Sequence, residues 1–247
     1  MEVIEYLLLF ILLALLAEIL GTVGGFGSSL FFVPIASYFL DMHSVLGITA
    51  IFHVSSNITK IVFFREGVDK MVIIWLGIPA VIFVILGAYV SKFIQTDYLE
   101  IGLAAFLIVT SLTFLIFKHL NIKPTQGNSV VGGMLSGLLA GVLGTGGAIR
   151  GIVLTAYNMK TEVFIATSAV IDLGIDASRS VVYTLNGYVH THDLYLIPIL
   201  LVVSVIGTWI GKKILQRFSD NQFRSTVLTL ILITGILTLG KVIFSFS

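Results

Sequence analysis

Apolar residues run along this chain in blocks of about twenty, and blocks of that length match the thickness of a hydrocarbon layer. Short polar or charged connections separate them. Six blocks read as full transmembrane helices, at 45–64, 72–90, 98–117, 164–183, 194–210 and 223–244. Two further stretches, 4–40 and 130–157, are long and apolar but are cut by glycine clusters. Gly21, Gly24, Gly25 and Gly27 interrupt the first; Gly141, Gly144, Gly146 and Gly147 interrupt the second. Glycine weakens helix and admits positive φ. Each stretch is therefore one broken span or a helical hairpin with a glycine tip. The arms after the glycines, 28–40 and 148–157, are short, which favours partial insertion for the second.

Composition changes the solvent. Of 247 residues, 57% are apolar and 11% charged, against about 25% charged in soluble domains. So few charges cannot solvate a globular surface, and lipid must cover most of it. The net charge of +1 offers no field for nucleic acid. With no cysteine, disulfides and thiolate metal sites are excluded. The five histidines show no metal-ligand spacing; His190 and His192, two apart in a loop, read as solvated. No metal or cofactor is expected. The start, Met-Glu-Val-Ile-Glu-Tyr, has no Lys or Arg before the apolar run, so the first segment does not read as a secretory signal.

Basic residues decide between a broken span and a hairpin, because Lys and Arg concentrate in cytoplasmic loops. If each glycine region returns to its starting side, Arg65, Lys70, Lys118, Lys123, Lys160, Lys212, Lys213, Arg217 and Arg224 share one face. Only Lys92 and Lys241 take the other, while Lys60, Arg150 and Arg179 lie inside apolar segments. Single crossings would scatter the same charges over both sides. The hairpin reading predicts a multi-pass protein of the cell (inner) membrane, with both termini outside and most basic loops cytoplasmic.

A shift of 119 residues superposes the two halves of the chain. It sets Gly25 on Gly144, Gly27 on Gly146, Tyr38 on Tyr157 and Ala50 on Ala169. It also sets His53, Asn57 and Lys60 on Asp172, Asp176 and Arg179, and Phe64 on Tyr183. The expected architecture is an all-α polytopic membrane protein of two repeats, 1–124 and 125–247, in one integral membrane domain. Each repeat is a hairpin plus three spans. Three crossings reverse direction, so the second repeat enters inverted, a recurring transporter design; a duplication without transport is the alternative.

Ionisable groups inside a membrane default to functional hypotheses; here they are Glu18, His53, Lys60, Arg150, Asp172, Asp176 and Arg179. Residues 53, 57 and 60 share one helix face, as do 172, 176 and 179. After each glycine break a helix starts anew, near Ser28 and near Ala148. Its free N–H groups and dipole favour an anion. Ser28 and Ser29 add hydroxyls at one tip, and Arg150 adds a fork suited to oxyanions at the other. The predicted substrate site comprises Gly25, Gly27, Ser28, Ser29, His53, Asn57, Gly144, Gly146, Gly147, Arg150, Asp176 and Arg179. Burial disfavours a charged carboxylate, so Glu18, Asp172 and Asp176 are the proton-coupling candidates. Structural readings stand beside these. The glycines allow close helix packing, Asp176 and Arg179 form a neutralising pair one turn apart, and Lys60 snorkels to headgroups. His53 is a satisfied core residue.

The stretch Gly25-Phe-Gly-Ser-Ser-Leu-Phe-Phe-Val-Pro34 resembles the Gly-x-Gly-Gly-Gly-x-x-x-Val-Pro signature of the TauE/SafE sulfite-exporter family, the 4-toluene sulfonate uptake permease group. Gly144-Thr-Gly-Gly-Ala-Ile-Arg-Gly-Ile-Val153 resembles its second copy. Serines replace two glycines in the first copy, and Val153 stands where the second often has proline. The resemblance implies transport of small sulfur oxyanions or organosulfonates, such as sulfite, sulfoacetate or toluenesulfonate.

The leading expectation is a secondary transporter, an exporter of a small sulfur-containing anion, working by alternating access with proton coupling. A passive anion channel would use the same residues. An intramembrane enzyme ranks lower, because no His-Glu-x-x-His or Gly-x-Ser-x-Gly occurs. No Gly-x-x-x-x-Gly-Lys-Ser/Thr occurs either, so this chain does not itself hydrolyse ATP and no ATPase subunit is implied. The expected partners are the bilayer and the small anion, with homo-oligomerisation left open.

Overall fold

The computed structural model describes residues 2–25, 27–116, 122–216, 232–233, 235–241 and 243. Most of the predicted span 223–244, together with Lys118, Arg217 and Arg224, lies outside them. The described residues are helical, with no strand among them.

α1 (Glu2–Gly24) ends at Gly25, whose φ of +69° is left-handed, and Gly27 follows at +87°. The chain then restarts as α2 (Ser29–Ala36). α3 (Met42–Phe63) opens on an Asp41 cap whose side chain accepts from the backbone N–H of His43 and Ser44. Burial raises the Asp41 pKa, but hydrogen bonds from the Ser44 side chain and backbone, the nearby His190 and the His43 N–H outweigh it and hold the carboxyl below its ordinary range. α4 (Lys70–Ser91) contains one π-helical turn at Ile73–Gly77. α5 is Thr96–Ile116 and α6 is Gln126–Leu143. α6 stops at Gly144, with φ +77°, before α7 (Gly147–Thr155). α8 (Thr161–Leu185), a 3₁₀ turn (Thr191–Asp193) and α9 (Leu196–Leu215) complete the set.

Among the described residues, five helices, α1, α3, α4, α5 and α9, are long and apolar enough to cross a membrane. α8 is longer than any of them at 25 residues. It carries Glu162, Asp172, Asp176 and Arg179, which removes it from that set although it packs centrally against α3 and α4. α2 and α7 have 8 and 9 residues, about 12–14 Å at 1.5 Å per residue. That covers under half of a hydrocarbon core of about 30 Å.

Contacts orient the described helices: α1 runs parallel to α9, with Glu18 and Thr22 against Gly207 and Gly211, and α6 runs parallel to α4, with Gly133 and Gly141 against Leu76 and Val84. Ser91 Oγ meets Tyr188 Oη, Ser44 Oγ meets His190, and Lys241 bonds Ser37 and Glu100. These pairs gather the α2–α3, α4–α5 and α8–α9 connections at one end. At the opposite end Asp69 N–H donates to Thr167, and Lys212 donates to the Phe63 carbonyl. α1 therefore enters from the first end and α6 from the second. α2 and α7 each start near the molecule's middle and return toward the end their partner came from.

Glycine makes two of the packings possible. A Cβ on Gly133, Gly137 or Gly141 would strike the carbonyls of Leu76, Ala80 or Val84, so one face of α6 lies directly on the α4 backbone. Gly141, counted with the second tip by its spacing, belongs to this packing stripe. On α9, Gly207 and Gly211 admit the side chains of Glu18 and Thr22 from α1. The buried apolar core gathers around α2, α3 and the inner faces of α1, α5 and α9, with a second cluster between α4, α7 and α8.

Candidate functional site

The two glycine breaks meet. Ser29 Oγ, beside the α2 N-terminus, lies 3.2 Å from Thr145 Oγ1 in the break before α7. Ser28 Oγ lies 3.0 Å from His53 Nε2, midway along α3, and Arg150 reaches Ser168 and Asp172, near the middle of α8. The starts of both half-length helices therefore sit at mid-depth, facing each other. A cavity between them is walled by Gly27, Ser28, Ser29, His53, Ser56, Asn57, Lys60, Gly144, Gly146, Gly147, Arg150, Asp172, Asp176 and Arg179. Its open space is about 20 Å³, room for about one water. A second space of about 10 Å³ adjoins it through Gly27, Asn57, Lys60 and Asp172 and reaches Gly25 and Ile165.

All three interior cations are paired. Arg150, 2% exposed, binds Asp172 and donates from Nε to Ser168 Oγ at 3.1 Å. Arg179 meets Asp176 at 2.7 Å, one turn away on the same helix. Its Nη1 also donates to the carbonyls of Gly144 at 2.7 Å and Ala140 at 3.0 Å. Tyr183 donates to the Gly141 carbonyl at 2.7 Å. Arg179 and Tyr183 thus satisfy the open C-terminal carbonyls of α6. The ladders themselves join where Asn57 Nδ2 donates to Asp176 Oδ2 at 2.7 Å, between residues that are 119 apart.

Glu18 is fully buried beside this cavity. Its carboxylate accepts from Ser28 and Ser56 at 2.6 Å each, Thr208 at 3.0 Å and Thr22 at 3.2 Å. Lys60 Nζ sits 2.9 Å away. Because the single Ser28 hydroxyl proton is given to Glu18, His53 Nε2 must be the donor in its bond to Ser28. His53, Ser28 and Glu18 form a continuous hydrogen-bonded line from the cavity wall.

One sequence reading is corrected here. Lys60 does not snorkel: it is 6% exposed, pairs with Glu18 and donates to Ser56 at 2.7 Å. Arg150, which has no acid near it in sequence, finds Asp172 across the fold. Lys60, Arg150 and Arg179 thus stand against Glu18, Asp172 and Asp176, pair by pair. Gly25 borders only the smaller space. Spacing reasoning missed Ser56 and Ser168, although each lies on the face of its ladder at helical spacing. Thr145 and Thr208 carried no signal in sequence, because only the tertiary fold brings them to Ser29 and Glu18.

Interrupted helices whose ends meet at mid-depth, among apolar spans, recur in secondary transporters. Comparison with family models decides the matter: residues 10–238 match the model for the sulfite exporter TauE/SafE. The chain belongs to the TauE/SafE family. It is a multi-pass membrane protein and a transporter rather than an enzyme, in a family whose cargo is sulfite or a related small anion. Comparisons with curated proteins and with solved structures find no match for the chain.

Proposed function

We propose that this TauE/SafE protein is a secondary transporter, working as an exporter, whose substrate is a small sulfur oxyanion or organosulfonate bound at the cavity between the hairpin tips. The observation that carries this reading is Arg150, buried at the start of half-helix α7 with its guanidinium against Asp172 and Ser168. The Asp172 carboxylate offers the planar pair of oxygens that an oxyanion would offer. Guanidinium recognises both in the same way.

A cavity of about 20 Å³ holds the closed arrangement, so an anion of several heavy atoms enters only as Asp172 gives up Arg150. The Ser29 hydroxyl, the backbone N–H groups at Gly146 and Gly147, and the Asn57 amide then complete the oxyanion's donors. Arg179, engaged with Asp176 and α6, positions the second tip.

Charge balance supports proton coupling. The three cations already face Glu18, Asp172 and Asp176, so an incoming anion leaves one negative charge uncompensated in a medium that penalises it. Protonation of one of these acids alongside anion binding removes that excess. Glu18, joined to the cavity through Ser28 and His53, and Asp172, displaced by the substrate, are the two acids we assign to this step.

The opposed hairpins and the Asn57–Asp176 link support inverted repeats 1–124 and 125–247 that rock about the site for alternating access. The clustering of Arg65, Lys70, Lys160 and Lys212 at the end of the molecule away from Lys92 and Lys241 supports a cytoplasmic basic face with termini outside. Proteoliposomes loaded with the anion test carrier against channel. A carrier accumulates sulfite or a sulfonate above its own gradient when a pH gradient is imposed, whereas equilibration without accumulation rejects coupling.

A further inference from the structure

Away from the central cavity, at the end formed by the α2–α3 and α8–α9 connections, three metal-ligand side chains converge. His190, His192 and Asp193 each present a ligand atom within 4.8 Å of the others. Asp193 Oδ2 is 3.7 Å from His190 Nδ1, and Oδ1 is 3.5 Å from His192 Nε2. Ligand atoms sharing one tetrahedral ion, at bonds of about 2.0–2.1 Å, lie about 3.4 Å apart. The two imidazoles are parallel within 7°; Ser44 Oγ lies 2.7 Å from His190 Nδ1, and an ion on that nitrogen takes the place of this hydrogen bond.

A second observation points to a ligand. Asp193 is 2% exposed, yet its Oδ2 has no hydrogen-bond partner. A buried carboxylate oxygen left without a donor is costly, and this one faces an imidazole. We propose that His190, His192 and Asp193 bind a divalent transition-metal ion of the Zn²⁺ or Cu²⁺ class. Two imidazoles with one carboxylate suit such ions, whereas Mg²⁺ and Ca²⁺ take all-oxygen sets. Three protein ligands leave a fourth position for water. Spacing alone does not signal this site, because an i, i+2 histidine pair becomes a ligand set only when the 3₁₀ turn brings Asp193 inward.

The turn packs on α3, where the Tyr188 carbonyl and Val189 lie against Gly47. An ion held here therefore rigidifies the α8–α9 connection where it lies beside α3. Titration calorimetry of ZnCl₂ into the untagged, detergent-purified full chain tests the site. The expected result is one equivalent bound at micromolar Kd, weakened by about tenfold or more in His192→Ala and in Asp193→Asn. The His192 side chain is 74% exposed, so His192→Ala leaves the fold intact. Zn²⁺ should raise the melting temperature of the wild-type protein and leave that of His192→Ala unmoved. Cu²⁺ in the same site should show nitrogen couplings from two imidazoles in its electron paramagnetic resonance spectrum. Absence of Zn²⁺ binding below about millimolar concentration, where only unspecific ligation remains, overturns the proposal. So does a His192→Ala protein that binds as the wild type does.

Discussion

At the residue scale the site is a set of buried ion pairs, and such pairs respond asymmetrically to change. Removing one partner strands the other, at about 3–5 kcal/mol, while removing both is far milder. Lys60→Met alone should therefore destabilise the protein markedly through stranded Glu18, with Glu18→Gln/Lys60→Met recovering much of the loss. Thermal melting in detergent checks the pair. Glu18→Gln separately tests coupling. Glutamine keeps the acceptor oxygen for the surrounding hydroxyls but carries no titrating proton, so transport should lose its pH dependence. Unchanged flux and unchanged pH dependence would remove Glu18 from the cycle. The ladder residues were legible in sequence because polar positions recurring at helical spacing inside an apolar span are conspicuous. Their partners were not. Lys60 read as snorkelling because its distance from the helix end is visible in sequence and Glu18, 42 positions upstream, is not.

At the scale of elements, the glycines divide into two kinds that sequence alone merges. Gly25, Gly27 and Gly144 hold left-handed backbone at the breaks, where any other L-residue costs about 1–2 kcal/mol. Gly133, Gly137 and Gly141 are ordinary helix whose missing Cβ admits α4. Gly137→Leu should force α6 off α4 at a cost of about 1–3 kcal/mol, lowering the melting temperature. Gly127→Ala, whose Cβ meets nothing within 4 Å, should be neutral or slightly stabilising. Equal effects of the two would contradict the packing assigned to this stripe. The breaks were readable from the glycine clusters, and the short second arm with them, whereas the half-length of the first return arm required the fold. Arm length depends on where Ser37 and Ala156 leave the helix, and neither is a strong breaker.

At the scale of the whole molecule, the 119-residue offset relates the ladders but not the charges around them. Glu18 corresponds by that offset to Gly137, and Arg150 to Phe31. The first half thus supplies the acid wired to His53 and the second supplies Arg150, so in the proposed mechanism the halves divide the labour of coupling and recognition. Orientation is tested by cysteines at Gln126 and Thr191, in a chain with no native cysteine. Impermeant reagent should label Gln126→Cys only from the cytoplasmic side and Thr191→Cys only from the outside; labelling of both from one side rejects the topology. The central claim, an anion site built on Arg150 between the two tips, is tested most directly by binding. Sulfite, sulfate, thiosulfate and simple sulfonates are titrated against purified wild-type protein and Arg150→Ala. The site predicts at least one sulfur oxyanion bound by the wild type and weakened about ten- to a hundredfold in Arg150→Ala, as expected for a lost charge-assisted hydrogen bond. Equal affinity of both proteins for every anion would contradict it.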